Sequence, residues 1–327
     1  MFGKIASFEF RYQLRQPAFW VIFIVFALLS FGAVASENVS LGSGGNVFKN
    51  APYSLALAHI AFNIFFMLGS TAIVANAVAR DTSTGYGPLI LSTPVSKSSY
   101  LFGRFFGAFA AVAICYLSIS FGTLLGTAMP WVDPETLGAF RPFDYVYAYG
   151  VYGLTGLFLT SALFFMLATV TRSLMATYVG VVGVIIVYLV TTGSLGSKPE
   201  FETALAWAEP FGSGAYSLAT KYWTAAERNT INAPLEGVLL WNRVIWTLVG
   251  AAILAPAGAD MAARIDAQIA VSAYAAGYVG GDSTVVYAGV GNREPVGPRR
   301  GGVGQAGSGR PTRGASAGGV AVEAEHH

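Results

Sequence analysis

Polarity along this chain changes in long blocks. Apolar runs of about 20 residues or more alternate with short polar stretches, and the period-two alternation of half-buried strands is missing. The first run, 17–35 (PAFWVIFIVFALLSFGAVA), carries no charge. Further runs follow at 54–79, 105–131, 145–171 and 173–197. A sixth, 244–259, contains Pro256 and trails off into Gly and Asp. About 20 apolar residues in a helix cross the hydrocarbon core of a bilayer. Only helices satisfy their own backbone groups in lipid over such lengths; barrel strands would be about 10 residues long and alternate in polarity. The pattern predicts an all-α polytopic membrane helix bundle of five complete spans and a sixth that is short.

The polar stretches carry their own patterns. Residues 2–16 (FGKIASFEFRYQLRQ) predict a helix that stops at Pro17. At about 100° per residue, Lys4, Arg11 and Arg15 fall within about 40° of one another, with Ile5, Phe8 and Tyr12 beside them. Phe10 and Leu14 fall elsewhere, so the apolar face is not clean. A basic helix before a span reads as an interfacial helix on an anionic inner leaflet, so membrane lipid is an expected partner. The plainer reading is a basic flank that only sets topology. Residues 195–241 form the longest outer segment. Its Trp207, Trp223 and Trp241 predict one or two short helices at the interface.

Charge at the span ends orients the chain. With the N-terminus inside, the inner segments hold Lys4, Arg11, Arg15, Arg80, Lys97, Arg104 and Arg172 against Glu9 and Asp81. The outer segments are richer in acids, among them Asp133, Glu135, Asp144, Glu200, Glu202 and Glu209. The expected arrangement is N-inside.

Composition agrees with a membrane chain: of 327 residues, 54% are hydrophobic and 11% charged, against about a quarter charged in soluble domains. The net charge of +2 says little about partners. The one cysteine, Cys115, lies in an apolar run and excludes a disulfide framework. The first run is too long for a signal-peptide core and reads as a retained anchor. The expected organisation is an elbow helix over 1–16, a membrane domain over 17–256 and a tail over 257–327. In the tail Gly, Ala, Arg and Pro dominate and no period is sustained, which predicts disorder. The change of character inside an unfinished span suggests a frameshifted end. A bland unfolded tail outweighs nucleic-acid binding by its arginines.

Chemistry is sparse. The three histidines include two at the C-terminus, and no H-E-x-x-H, P-loop or G-x-S-x-G occurs. No catalytic residue, cofactor or metal site is expected, and the chain is not read as an enzyme. His59 is the one ionisable candidate within a span, with Asn63 and Asn76 further along. A place near the outer interface is favoured over a polar cavity. The pairs Gly103/Gly107 and Gly122/Gly126 have the small-xxx-small spacing of close helix packing, and Gly150, Gly153 and Gly156 read the same way.

The most informative stretch is the inner loop 80–104, RDTSTGYGPLILSTPVSKSSYLFGR. Its polar start, apolar centre (Leu89, Ile90, Leu91) and Ser-Thr-Pro-Val-Ser-Lys run predict two short helices with a break. An amphipathic piece between spans is a natural docking surface for a soluble partner, although a plain connecting loop explains the pattern equally well.

The run LSTPVSKSSYLFGR after a Gly-containing turn resembles the first cytoplasmic loop of type-2 ABC transporter permeases. FRYQLRQPAFW, before the first span, resembles the elbow of the same family. The resemblance implies two permease subunits forming the pathway in a bacterial cytoplasmic (inner) membrane, with separate ATPase subunits docked on the inner loops. It places Arg80, Asp81, Gly85, Leu91, Pro94, Val95, Lys97 and Tyr100 on the coupling segment. Thr82-Ser83-Thr84 departs from relatives, which more often carry an acid there. MPWVDPETLG and ALFFMLATVTRSLMATYVGVVG resemble a subgroup in which such a membrane domain is joined to a zinc aminopeptidase. No zinc motif is present here, so the alternative is a non-transporting anchor left from such a fusion. A transporter or channel acting without ATP is opposed by the scarcity of ionisable groups in the spans.

Overall fold

Pro17 divides the first two helices. A residue before proline is pushed toward extended backbone, and Gln16 is extended (φ −74°, ψ 132°) between α1, Phe2–Arg15, and α2, Pro17–Ala35. The computed structural model describes residues 1–37, 39–83, 96–196 and 198–255, without the side chains of 81–83 and 97. α3 is Pro52–Ser83 and α4 is Lys97–Thr127. The fourth span runs without a break through α5, Pro142–Ala148, a π-helical turn, Tyr149–Leu154, and α6, Thr155–Thr171. α7 is Leu174–Leu195. Three short helices follow, α8 (Glu202–Ala208), α9 (Ser213–Ala219) and α10 (Ala225–Thr230), and then α11, Gly237–Ala255.

Among the described residues there is no β-strand, and six helical segments are long and apolar enough to cross a membrane. The first matches its sequence pattern residue for residue. The sixth corrects the expectation. It begins at Gly237, and its described part, Gly237–Ala255, is already long and apolar enough to cross a membrane. Arg243 lies within this helix, where a charge is costly unless it is satisfied. In the structure Arg243 is 4% exposed and satisfied inside the bundle. It donates to the Phe211 carbonyl (2.8 Å), the Pro210 carbonyl (3.1 Å) and Thr155 Oγ1 (3.2 Å). Gly212 makes room for it: with φ +89°, a Cβ there would stand 2.5 Å from an Arg243 guanidinium nitrogen. Asn242, next to it, donates to the carbonyls of Ala206 (2.9 Å) and Glu209 (3.0 Å), so the start of α11 is tied to the end of α8.

The loop 80–104 is also shorter than expected, since α3 reaches Ser83 and α4 begins at Lys97. Tyr100 and Arg104 are therefore helical. The two short helices predicted within the loop, and the disorder predicted for the tail, lie outside the described residues.

Helix pairs approach closely where glycine removes the Cβ. A Cβ on Gly107 would sit 2.5 Å from the Ala6 carbonyl oxygen of α1, and one on Gly122 would sit 2.2 Å from that of Ala27 of α2. Gly103 and Gly126 continue the same two contacts. Gly153 and Gly156 receive the Tyr116 ring and the Asn63 amide, but Gly150 has nothing within 4 Å, so it is not a packing glycine. Asn63 Nδ2 donates to the Tyr152 (3.1 Å) and Gly153 (2.9 Å) carbonyls, two groups of the π turn whose helical bonding is altered. Aromatic rings fill the bundle: Phe66, Phe105, Tyr116 and Phe165 in one cluster, Tyr152, Phe164, Phe211 and Tyr216 in another. α7 lies at the margin, with Thr177 and Val181 its buried residues.

Candidate functional site: a charge clamp at the ends of the 80–104 segment

The inner face of α1 is polar at its centre. Glu9 and Gln13, one turn apart, are buried while Lys4, Arg11 and Arg15 are exposed. Glu9 falls about 140° around the helix from the basic stripe. Gly103 and Gly107 let α1 lie against α4, which brings Glu9 to the last turn of α3 and the early turns of α4. There Glu9 Oε2 is 2.6 Å from Arg80 Nη2 and 3.4 Å from Arg104 Nη1. Gln13 Nε2 donates to Glu9 Oε1 at 2.7 Å and to the Ile73 carbonyl at 3.3 Å. Arg104 also donates to the Ala77 carbonyl. The Arg80 guanidinium stacks 3.8 Å from the centre of the Tyr12 ring, and that of Arg104 lies 5.2 Å from the Tyr100 ring.

Side-chain exposure is 1% for Glu9, 15% for Arg80 and 9% for Arg104. Water is largely excluded, so the carboxylate is the counter-charge that makes two buried guanidinium groups tolerable. Arg80 and Arg104 are the residues that open and close the 80–104 segment. A single carboxylate on α1 therefore holds both ends of it.

The other residues expected on this segment divide as follows. Asp81 is on α3 and Lys97 on α4, with their side chains not described. Tyr100 is in the first turn of α4, under Arg104. Gly85, Leu91, Pro94 and Val95 lie outside the described residues. Glu9 was missed: it counted only as an acid opposing the positive-inside pattern. Its signal was present as the one acid of a basic helix, on the opposite side from the basic stripe.

His59 faces the interior of the bundle. It is fully buried, with Nδ1 2.8 Å from the Leu55 carbonyl and Nε2 3.0 Å from Ser120 Oγ on α4. Tyr116 Oη donates to the His59 carbonyl at 2.6 Å. This cross-link between α3 and α4 satisfies polar groups in the bundle interior, where lipid offers no partners.

Six helical segments among the described residues that are long and apolar enough to cross a membrane, with polar side chains such as His59, Asn63 and Glu9 bonded inside the bundle, define a multi-pass membrane protein. The family described as ABC-2 family transporter protein matches residues 4–257, and the chain belongs to it. Its class is accordingly the membrane component of a transporter, the permease. No curated protein matches the chain.

Proposed function

We propose that this chain is the membrane-spanning subunit of an ATP-driven transporter, coupled to a separate ATPase subunit through the 80–104 segment. The observation that carries this reading is the clamp: Glu9 bonds both Arg80 and Arg104. A force applied to the segment by nucleotide binding would reach α3 and α4 together and draw on α1. Arg80, Asp81, Gly85, Leu91, Pro94, Val95, Lys97 and Tyr100 form the coupling segment on this reading, and α1 is the interfacial elbow. A second permease subunit completes the pathway, the membrane is the bacterial cytoplasmic membrane, and the N-terminus faces the cytoplasm.

A tagged chain extracted in mild detergent should bring an ATPase with it. Substituting Leu91→Asp or Pro94→Ala should lower ATPase retention or its transport-linked hydrolysis, while the chain itself stays monodisperse. Repeated extraction with no nucleotide-binding protein recovered would overturn the reading.

A further inference from the structure

α1 has a second face. Lys4, Phe8, Arg11 and Arg15 follow the i, i+4, i+7, i+11 spacing of one helix stripe, and all are exposed, Phe8 by 63%. They border an open groove along α1, which Gly3, Ser7 and Tyr12 also line. Among the described residues no acidic side chain lines it. The one acid of α1, Glu9, points the other way into the clamp. The stripe also has a definite level: Arg15 is followed after one residue by Pro17, where the first span starts. Trp20, 53% exposed in that span's first turn, donates its indole N–H to the Leu14 carbonyl at 3.1 Å. Tryptophan at the end of a span marks the headgroup layer. Three cations, a hydroxyl and a protruding aromatic ring at that level suit a phosphate with acyl chains beside it.

We propose that this groove binds the phosphodiester headgroup of an anionic phospholipid, and that its occupancy reaches the clamp through Tyr12. Tyr12 lines the groove and its ring also stacks on Arg80. An anion among Lys4, Arg11 and Arg15 changes the field at Arg80 and so its balance between Glu9 and the Tyr12 side. The lipid site stands on the geometry of α1 alone; only the transmission step rests on the coupling role proposed for 80–104.

The purified full-length chain in phosphatidylcholine nanodiscs tests the site. Dibrominated phosphatidylglycerol or dibrominated phosphatidylcholine is added at equal mole fraction, and quenching specific to Trp20 is obtained by difference from Trp20→Phe. The expected result is a several-fold preference for the anionic lipid that collapses at high salt. The preference should weaken with each charge removed in Lys4→Gln, Arg11→Gln and Arg15→Gln and reach parity when all three are removed. The charge-preserving set Lys4→Arg, Arg11→Lys and Arg15→Lys should keep it, which separates lost binding from lost folding. Equal quenching by the two lipids, or a preference untouched by removing the charges, would overturn the site. Abolition of the preference when the ATPase is bound would mark the stripe as a protein contact and overturn it too. For the transmission step, ATP hydrolysis by the complete transporter should vary with phosphatidylglycerol content in the wild type and not in the Gln variants. Hydrolysis independent of phosphatidylglycerol, with the quenching preference intact, would overturn transmission while leaving the lipid site.

Discussion

Glu9 shows how one side chain can organise charges that look unrelated along the chain. Arg80 and Arg104 are far apart in sequence, and as isolated cations each would be costly to bury. A shared carboxylate resolves both, and Gln13 fixes its rotamer by bonding the second oxygen. Glu9→Gln keeps the shape and removes the charge, leaving two buried guanidinium groups without their anion. The expected loss is about 3 kcal/mol of stability, read as a lowered unfolding temperature of the detergent-extracted chain. Glu9→Asp, which retains the charge on a shorter arm, should recover part of it. An unchanged midpoint in Glu9→Gln would show that the clamp carries no stability. The positive-inside count placed the two arginines on the same side of the membrane but had no means to show that they meet.

Between helices, glycines decide which contacts form. Small-xxx-small spacing marked Gly103/Gly107 and Gly122/Gly126 as packing positions from sequence, and both pairs meet a neighbouring helix. The partner could not be read from spacing, because a stripe of small residues is complementary to any close backbone. Gly103/Gly107 proves to be the seat of α1, so the clamp depends on it. Gly107→Val should force α1 off α4, at about 2–3 kcal/mol, because the obstacle is the Ala6 backbone carbonyl rather than a movable side chain. Gly150→Ala meets nothing within 4 Å and should stay within about 0.5 kcal/mol of the wild type. Thermal unfolding of the two variants side by side checks this, and equal midpoints would contradict it. The π turn in the fourth span left no mark in the sequence. Asn63 on another helix bonds the Tyr152 and Gly153 carbonyls within it, a contact that the local sequence does not announce.

For the whole molecule, the bundle and the elbow proposed at its inner surface call for a fixed orientation. Cys115 is buried and serves as a silent background for labelling. On intact cells a membrane-impermeant maleimide should label Glu135→Cys, and it should reach Ser7→Cys only after permeabilisation. The opposite pattern would place the N-terminus outside and remove the basis for docking an ATPase on 80–104. The number and approximate position of the spans were legible in the sequence alone, since lipid imposes a length and a polarity that leave few alternatives to a helix. The basic stripe of α1 was legible for the same reason, as a one-dimensional periodicity. The start of the sixth span, the burial of His59 and the union of Glu9 with Arg80 and Arg104 were decided only by the tertiary structure. Each involves a polar or charged group whose cost in the bilayer depends on its partner, and that partner is supplied by a distant part of the chain.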